Sequence, residues 1–468
     1  MNYVGTRGFV GEKSFAGALL DGLAPDGGLY VPAAWPQPDF DLHAAAGGDY
    51  GVLTEKLLNL FGVGVLGADA VKKAAERTKA AFLRPNSSAG QAETPLTQLD
   101  DGLWLLELWH GPTLAFKDMA MQMMAPLTDA ALAQTNQTLT LVTATSGDTG
   151  AAAVRAFAGS ERVRLVVFHP LGRVSPVQRL QMTTVEADNV LNVGVAGDFD
   201  DCQRMVKQLL GNAALKQRGL ISSVNSINWG RLLGQVPYYL AAAAASGARH
   251  PEFVVPTGNF GDAFAGWAGR RIGGNIGHLH AAVNRNDALA EAINDGHYIR
   301  RPAVETASVS MDVQAPSNFE RLVFEASGRD AATTKAFFDT YGAIGAADVS
   351  PDLQYALRAE VTASSIDETK TAEAIRHAWG AYGQVICPHT AVALAAALER
   401  RSAQKNSSPQ IVLATAHPAK FPDFVAGALG FAPKAPEAIQ ALYGRKETIR
   451  EIANDDDMAL KTVSEFTA

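Results

Sequence analysis

Cysteine is nearly absent from this chain, with only Cys202 and Cys387 among 468 residues. Two thiols build no disulfide framework and no structural zinc site by themselves, so a reducing cytoplasm is the expected compartment and no metal is expected. An excess of positive charge is also missing: 40 Lys and Arg stand against 48 Asp and Glu, for a formal charge of -8. With no basic stripe to follow a phosphate backbone, nucleic acid is not an expected partner. No apolar run reaches the ~20 residues that span a bilayer. The opening "MNYVGTRGFVGEKSF" has no charged-then-apolar signal layout, so neither membrane insertion nor export is expected.

What the chain does have is length and apolar content. A 47% hydrophobic share over this length suits two or three domains with a substantial core. Up to about Leu83, "DYGVLTEKLLNLFG" and "GADAVKKAAERTKAAFL" carry apolar residues at helical spacing. The polar "RPNSSAGQAETPLTQLDDG" then reads as a linker or long surface loop. From Leu103 short apolar runs alternate with helical stretches: "LWLLELW", "LTLVTAT", "VRLVVFH", "EFVVPT", "HLHAAV" and "QIVLATA". Strands apolar on both sides belong to a parallel α/β sheet covered on both faces, whose ligands sit at the strands' carboxyl ends. The charged tail after Pro433 reads as a solvated terminal helix.

Three glycine-containing turns invite a phosphate or carboxylate. "GVGVLG", Gly62 to Gly67, matches a dinucleotide fingerprint in letters only, because a helical pattern leads into it and no acidic residue waits at the ribose position. In "VVPTGNFGDAFAGWAGRR", by contrast, a strand runs into Thr257, Gly258, Asn259, Phe260, Gly261 and Asp262 before a helix begins. Backbone amides and the helix dipole attract an anion there, although an ordinary strand-to-helix turn has the same letters. "TATSGDTGAAAVRAF" places Thr145, Ser146, Gly147, Asp148 and Thr149 in the same position, where hydroxyls serve equally as carboxylate donors or helix caps.

"HGPTLAFKD" puts Lys117 after a strand and at the start of a helical stretch. The positive end of a helix favours the neutral amine, which is a nucleophile. A nucleophilic lysine together with a separate phosphate turn points to pyridoxal 5'-phosphate, whose aldehyde condenses with lysine while its phosphate docks on backbone amides.

These blocks, with "YVGTRG", "GLAPDGGLYVP", "GRVSPVQRLQMTT", "NSINWGR", "SMDVQAPSNFERL", "CPHTAVA" and "TAHPAKFP", make the chain resemble the threonine synthase family nearly end to end. Those are pyridoxal-phosphate enzymes of the tryptophan-synthase-β-like fold. The resemblance implies an α/β, two-lobed fold type II enzyme: an N-terminal helical domain over 1–88, a core over 89–432 with a smaller lobe inserted at about 150–250, and a helical tail over 433–468. It implies a Schiff base on Lys117, a phosphate pocket from Gly258, Asn259, Phe260, Gly261 and Asp262, Thr415 facing the pyridine nitrogen, and Asp148 near the ring.

The implied reaction turns O-phospho-L-homoserine and water into L-threonine and phosphate, with Lys117 as proton shuttle. Thr145, Ser146 and Thr149 are expected on the substrate carboxylate, and Asn225 and Arg231 on its phosphate, with Arg173 and Arg179 as weaker candidates. His110, His389 and His417 read as structural or as outer support, and Cys387 as inert packing. Three other readings compete. One is a phospho-lyase giving a 2-oxo acid, another a cofactor-binding protein without turnover, and the last a nicotinamide oxidoreductase resting on "GVGVLG". Oligomeric state is not legible.

Overall fold

The computed structural model describes residues 1–82, 93–403 and 408–467. All six apolar runs form strands, but they divide between two sheets rather than building one. The larger has six strands in the order Val361–Ser365, Leu279–Val283, Glu252–Pro256, Gln410–Ala414, Leu103–Glu107 and Leu96–Asp100. Its first five are parallel, and the edge strand Leu96–Asp100 runs antiparallel to Leu103–Glu107.

The double-sided apolar pattern has a direct cause, since successive side chains of a strand point to opposite faces. Leu106, Phe253, Val255, Ala281, Ile411 and Leu413 enter one hydrophobic core. Leu103, Leu105, Val254, Ala282, Val412 and Ala414 enter another on the opposite face.

The smaller sheet is wholly parallel, ordered Arg450–Ala453, Val190–Ala196, Val163–Pro170, Leu139–Ala144 and Leu220–Ser222. One of its faces joins the main core through Leu141, Leu165 and Val167. The other packs Val142, Val166, Phe168, Val193 and Val195 against Cys202, Met205 and Leu209 of the helix Phe199–Gly211.

Two local expectations change. The tail is not merely a solvated helix: Arg450–Ala453 adds a parallel strand beside Val190–Ala196, and Ala459 and Val463 of the helix Asp456–Phe466 are buried in the small-sheet core. An edge strand of four residues with one buried side chain, Ile452, is too short and too charged to show a period. Within the expected linker, Leu96–Asp100 is a hairpin strand that turns through Asp101 and Gly102, the latter at φ 66°. Asp-Gly is a hairpin signature, masked here by the surrounding polar residues. The linker up to residue 92, and with it the boundary expected at residue 88, lies outside the described residues.

The N-terminal part carries the helices Phe15–Asp21, Tyr50–Leu60 and Ala68–Phe82, together with an antiparallel pair, Tyr3–Gly5 with Tyr30–Pro32. "GVGVLG" spans a short 3-10 turn, Val63–Leu66, following the helix Tyr50–Leu60, so no strand feeds it.

Candidate active site

The site forms where the strands Leu103–Glu107, Leu139–Ala144, Glu252–Pro256 and Gln410–Ala414 end. "HGPTLAFKD" makes a tight turn there, with Leu114 at φ 60°. Asp118, fully buried, holds it by accepting from the Thr113 amide and the Thr113 hydroxyl, each at 2.8 Å. A side chain on Gly111 would meet Phe82 at 2.6 Å and Asp118 at 2.7 Å, so the turn requires glycine. The Phe116 amide donates to the Thr415 carbonyl at 2.8 Å, which docks the end of the strand Gln410–Ala414 beside the lysine.

Lys117 then opens the helix Lys117–Thr135 with its Nζ 3.3 Å from Asp148 Oδ2. Burial lowers the basicity of its amine, Asp148 pulls the other way, and Arg231 and Lys420 lower it further. Asp148 begins the helix Asp148–Phe157, and burial alone would raise its carboxyl. Lys420 and Lys117 more than reverse that, and the group is held well below the usual carboxylate range.

In the turn after Glu252–Pro256, a Cβ on Gly258 would lie 2.5 Å from the Ser310 carbonyl, so only glycine lets the backbone pass. Phe260 sits at φ 61°, and the helix Gly261–Arg271 has no side-chain cap on its first turn. That sets the backbone amides of a turn at a helix's positive end, the chemistry a phosphate needs. Together with a buried amine of lowered basicity and the Thr415 hydroxyl at the next strand end, it fits pyridoxal 5'-phosphate.

The structure brings most of the expected residues together but changes the part some of them play. Asp262 accepts from Tyr238 at 2.5 Å and Tyr239 at 2.8 Å, and burial pushes its carboxyl up to about 6. A carboxylate repels phosphate, so the part of Asp262 that suits the pocket is its backbone at the helix start. The Phe260 side chain belongs to the main core and likewise offers only backbone, as Gly261 does; Asn259 is half-buried at the turn. Thr145 Oγ1 accepts from the Gly147 and Gly150 amides, both at 2.9 Å, so it braces its loop, while Ser146 and Thr149 are half-buried at the helix start.

Asn225 receives the Thr143 hydroxyl on Oδ1 at 2.6 Å, which leaves its amide nitrogen as the group it can offer a ligand. Arg231 is buried, donates to the Val224 carbonyl at 3.1 Å and has a buried Nε without a partner. Arg179 is withdrawn from the site by Glu447 at 2.6 Å, and Arg173 is an exposed residue facing Glu305 at 3.6 Å.

The histidines act as supports. His110 bonds Glu107 at 2.7 Å, His417 Nδ1 accepts from the Ala419 amide, and His389 Nε2 accepts from the Ser310 amide at 3.1 Å. Burial raises the Cys387 thiol, as inert packing requires.

Two neighbours of Asp148 escape sequence reading. Gln178 donates to its Oδ1 at 2.8 Å, and Lys420 lies 2.7 Å from the same oxygen. Both stand in motifs quoted for other members, and only the tertiary arrangement shows where they point.

The description "Pyridoxal-phosphate dependent enzyme" matches residues 88–416, and threonine synthase N-terminal and C-terminal models match 2–78 and 390–464. A threonine synthase from Pseudomonas aeruginosa is 39% identical, the match covering 97% of this chain and 96% of that one. Human threonine synthase-like 2 is 34% identical over 96% of this chain and 93% of its own length. A solved, PLP-bound threonine synthase from Brucella melitensis superposes with a TM-score of 0.93 at 40% identity, covering 100% of this chain and 99% of that one. The turn at Gly258, the buried lysine and these full-length likenesses agree, and the chain belongs to the threonine synthase family of pyridoxal-phosphate dependent enzymes.

Proposed function

We propose that the chain converts O-phospho-L-homoserine and water into L-threonine and inorganic phosphate. The observation that carries this reading is Arg231: a buried guanidinium for which no carboxylate partner lies among the described residues, close enough to Lys117 to lower that amine's basicity. Such a charge is costly to bury unless an anion arrives to meet it. The turn at Gly258 suits the cofactor phosphate, so a second phosphate, the substrate's own, is the matching anion for Arg231 and the Asn225 amide.

The division of labour follows. Pyridoxal 5'-phosphate, held by Lys117, the Gly258–Asp262 backbone and Thr415, supplies an electron sink for charge left on carbon when a proton is removed. Ser146 and Thr149 present hydroxyls to the substrate carboxylate from the start of the helix Asp148–Phe157, where the dipole favours an anion. Lys117, with its lowered basicity, is suited to take protons from Cα and then Cβ and to return one to Cγ once phosphate has left. Water then adds at Cβ. Arg231 and Asn225 hold the departing phosphate where its charge develops. The reducing cytoplasm, inferred from two buried free cysteines, is part of the same reading.

Incubation of the cofactor-loaded protein with O-phospho-L-homoserine tests it, with phosphate release followed and the carbon product identified by NMR. L-threonine is expected, and Lys117→Ala is expected to abolish it. A 2-oxo acid in its place would replace this reading with the phospho-lyase one, and absence of phosphate release would remove the substrate assignment.

A further inference from the structure

We infer that Lys420 is a positioning residue that takes up the charge of Asp148, so that the nitrogen of Lys117 is left free of its proton. The inference rests on Lys117 being the lysine that holds the cofactor. A buried lysine facing a buried carboxylate alone would settle as an ion pair, with its ammonium locked in place and useless as a nucleophile or base. Asp148 Oδ2 is 3.3 Å from Lys117, a loose contact, whereas Oδ1 is 2.7 Å from Lys420 and also receives Gln178 at 2.8 Å. The carboxylate therefore spends its charge on the far oxygen.

Lys420 is built for that place. It is 0% exposed, its Nζ also donates to the Thr113 carbonyl at 2.7 Å, and it ends the 3-10 turn Pro418–Lys420 just beyond Thr415. One ammonium thus joins the lysine turn, the start of the helix Asp148–Phe157 and the strand end that carries Thr415.

The surrounding groups leave Asp148 as the main anion acting on Lys117. Arg231 opposes its proton, His389 is held neutral by burial at about 3, and Asp262, at about 6, has its Oδ1 engaged by two tyrosines. On the far side, Asp118, its carboxyl raised by burial to about 6, flanks Lys420 together with Asp148; His417 at about 4 and the raised Cys387 thiol add no charge there.

The test is a pH titration of the visible absorption band of the lysine-linked cofactor in the holoenzyme and its variants. Lys420→Met and Lys420→Gln are expected to move the midpoint up by about one unit or more, because Asp148 then acts on Lys117 alone. Lys420→Arg is expected to hold it near the parent value. Should the Met variant fail to load or fold, the Gln variant, which keeps hydrogen-bonding capacity without charge, decides. A Gln variant with reduced cofactor content but an unmoved midpoint would show a merely structural lysine and overturn the inference. A visible band that survives Lys117→Ala would instead overturn the assignment of Lys117 on which it rests.

Discussion

Individual charges in this site are legible from their partners. Arg231, buried and lacking a carboxylate among the described residues, is expected to matter to a phosphorylated substrate more than to the fold. Arg231→Ala should lower kcat/KM by ~10²–10³, the cost of removing one partner from a buried charged hydrogen bond. Lysine at the same position should recover part of it, and steady-state kinetics decides. His389 illustrates the sign of a pH effect. Burial depresses its folded-state value to about 3, below the unfolded value, so the stability of its neutral ring is full above the unfolded value and is lost as pH falls toward 3. His389→Asn should therefore flatten the decline of melting temperature below about pH 6.5 without moving the neutral-pH limb of the rate profile. A limb that shifts would show that the imidazole titrates during turnover.

At the scale of elements, the site is a set of strand ends joined to helix starts. On the proposed reading, the helix Gly261–Arg271 can serve as a phosphate cradle only because the turn before it can pass the Ser310 carbonyl. A Cβ at Gly258 would approach that oxygen to 2.5 Å. Neither partner is the flexible end of a side chain, so backbone must move. Gly258→Ala is expected to cost ~1–3 kcal/mol of stability through overpacking, and more in cofactor affinity, since the cradle and the clash share the same atoms. Denaturation of the apo- and holoenzyme in parallel measures the two separately. The expectation fails if the alanine variant loads cofactor as tightly as its parent.

At the scale of the whole molecule, the tail closes the smaller sheet. Arg450–Ala453 covers the edge of Val190–Ala196, and Glu447 pairs with Arg179 while accepting from Thr183 at 2.7 Å. Ending the chain before Arg450 would uncover a parallel strand edge and the buried Ile452, Ala459 and Val463 contacts. A loss of ~3–5 kcal/mol is expected from that apolar area, together with aggregation. Calorimetry and light scattering of the truncated chain test this, and an unchanged melting temperature would make the tail dispensable.

Much of this could be read from residue order, for reasons that are local. Apolar runs become strands because an unbroken run has no solvent-facing side, and glycines mark turns because the missing Cβ opens backbone conformations that other residues avoid. Lys117, the turn at Gly258 and the loop at Ser146 were visible because each sits at a strand-to-helix junction, a place the chain announces by its own composition. The division of the six runs between two sheets, the hairpin strand Leu96–Asp100 and the edge strand Arg450–Ala453 were not visible, because strand pairing depends on distant segments and a short edge strand has little pattern of its own. The roles of Asp262, Thr145 and Lys420 belong to the same class. Sequence determined which residues have the chemistry; only the tertiary structure decided which carboxylate meets which cation, because charge acts through space and the 302 positions between Lys117 and Lys420 say nothing about distance.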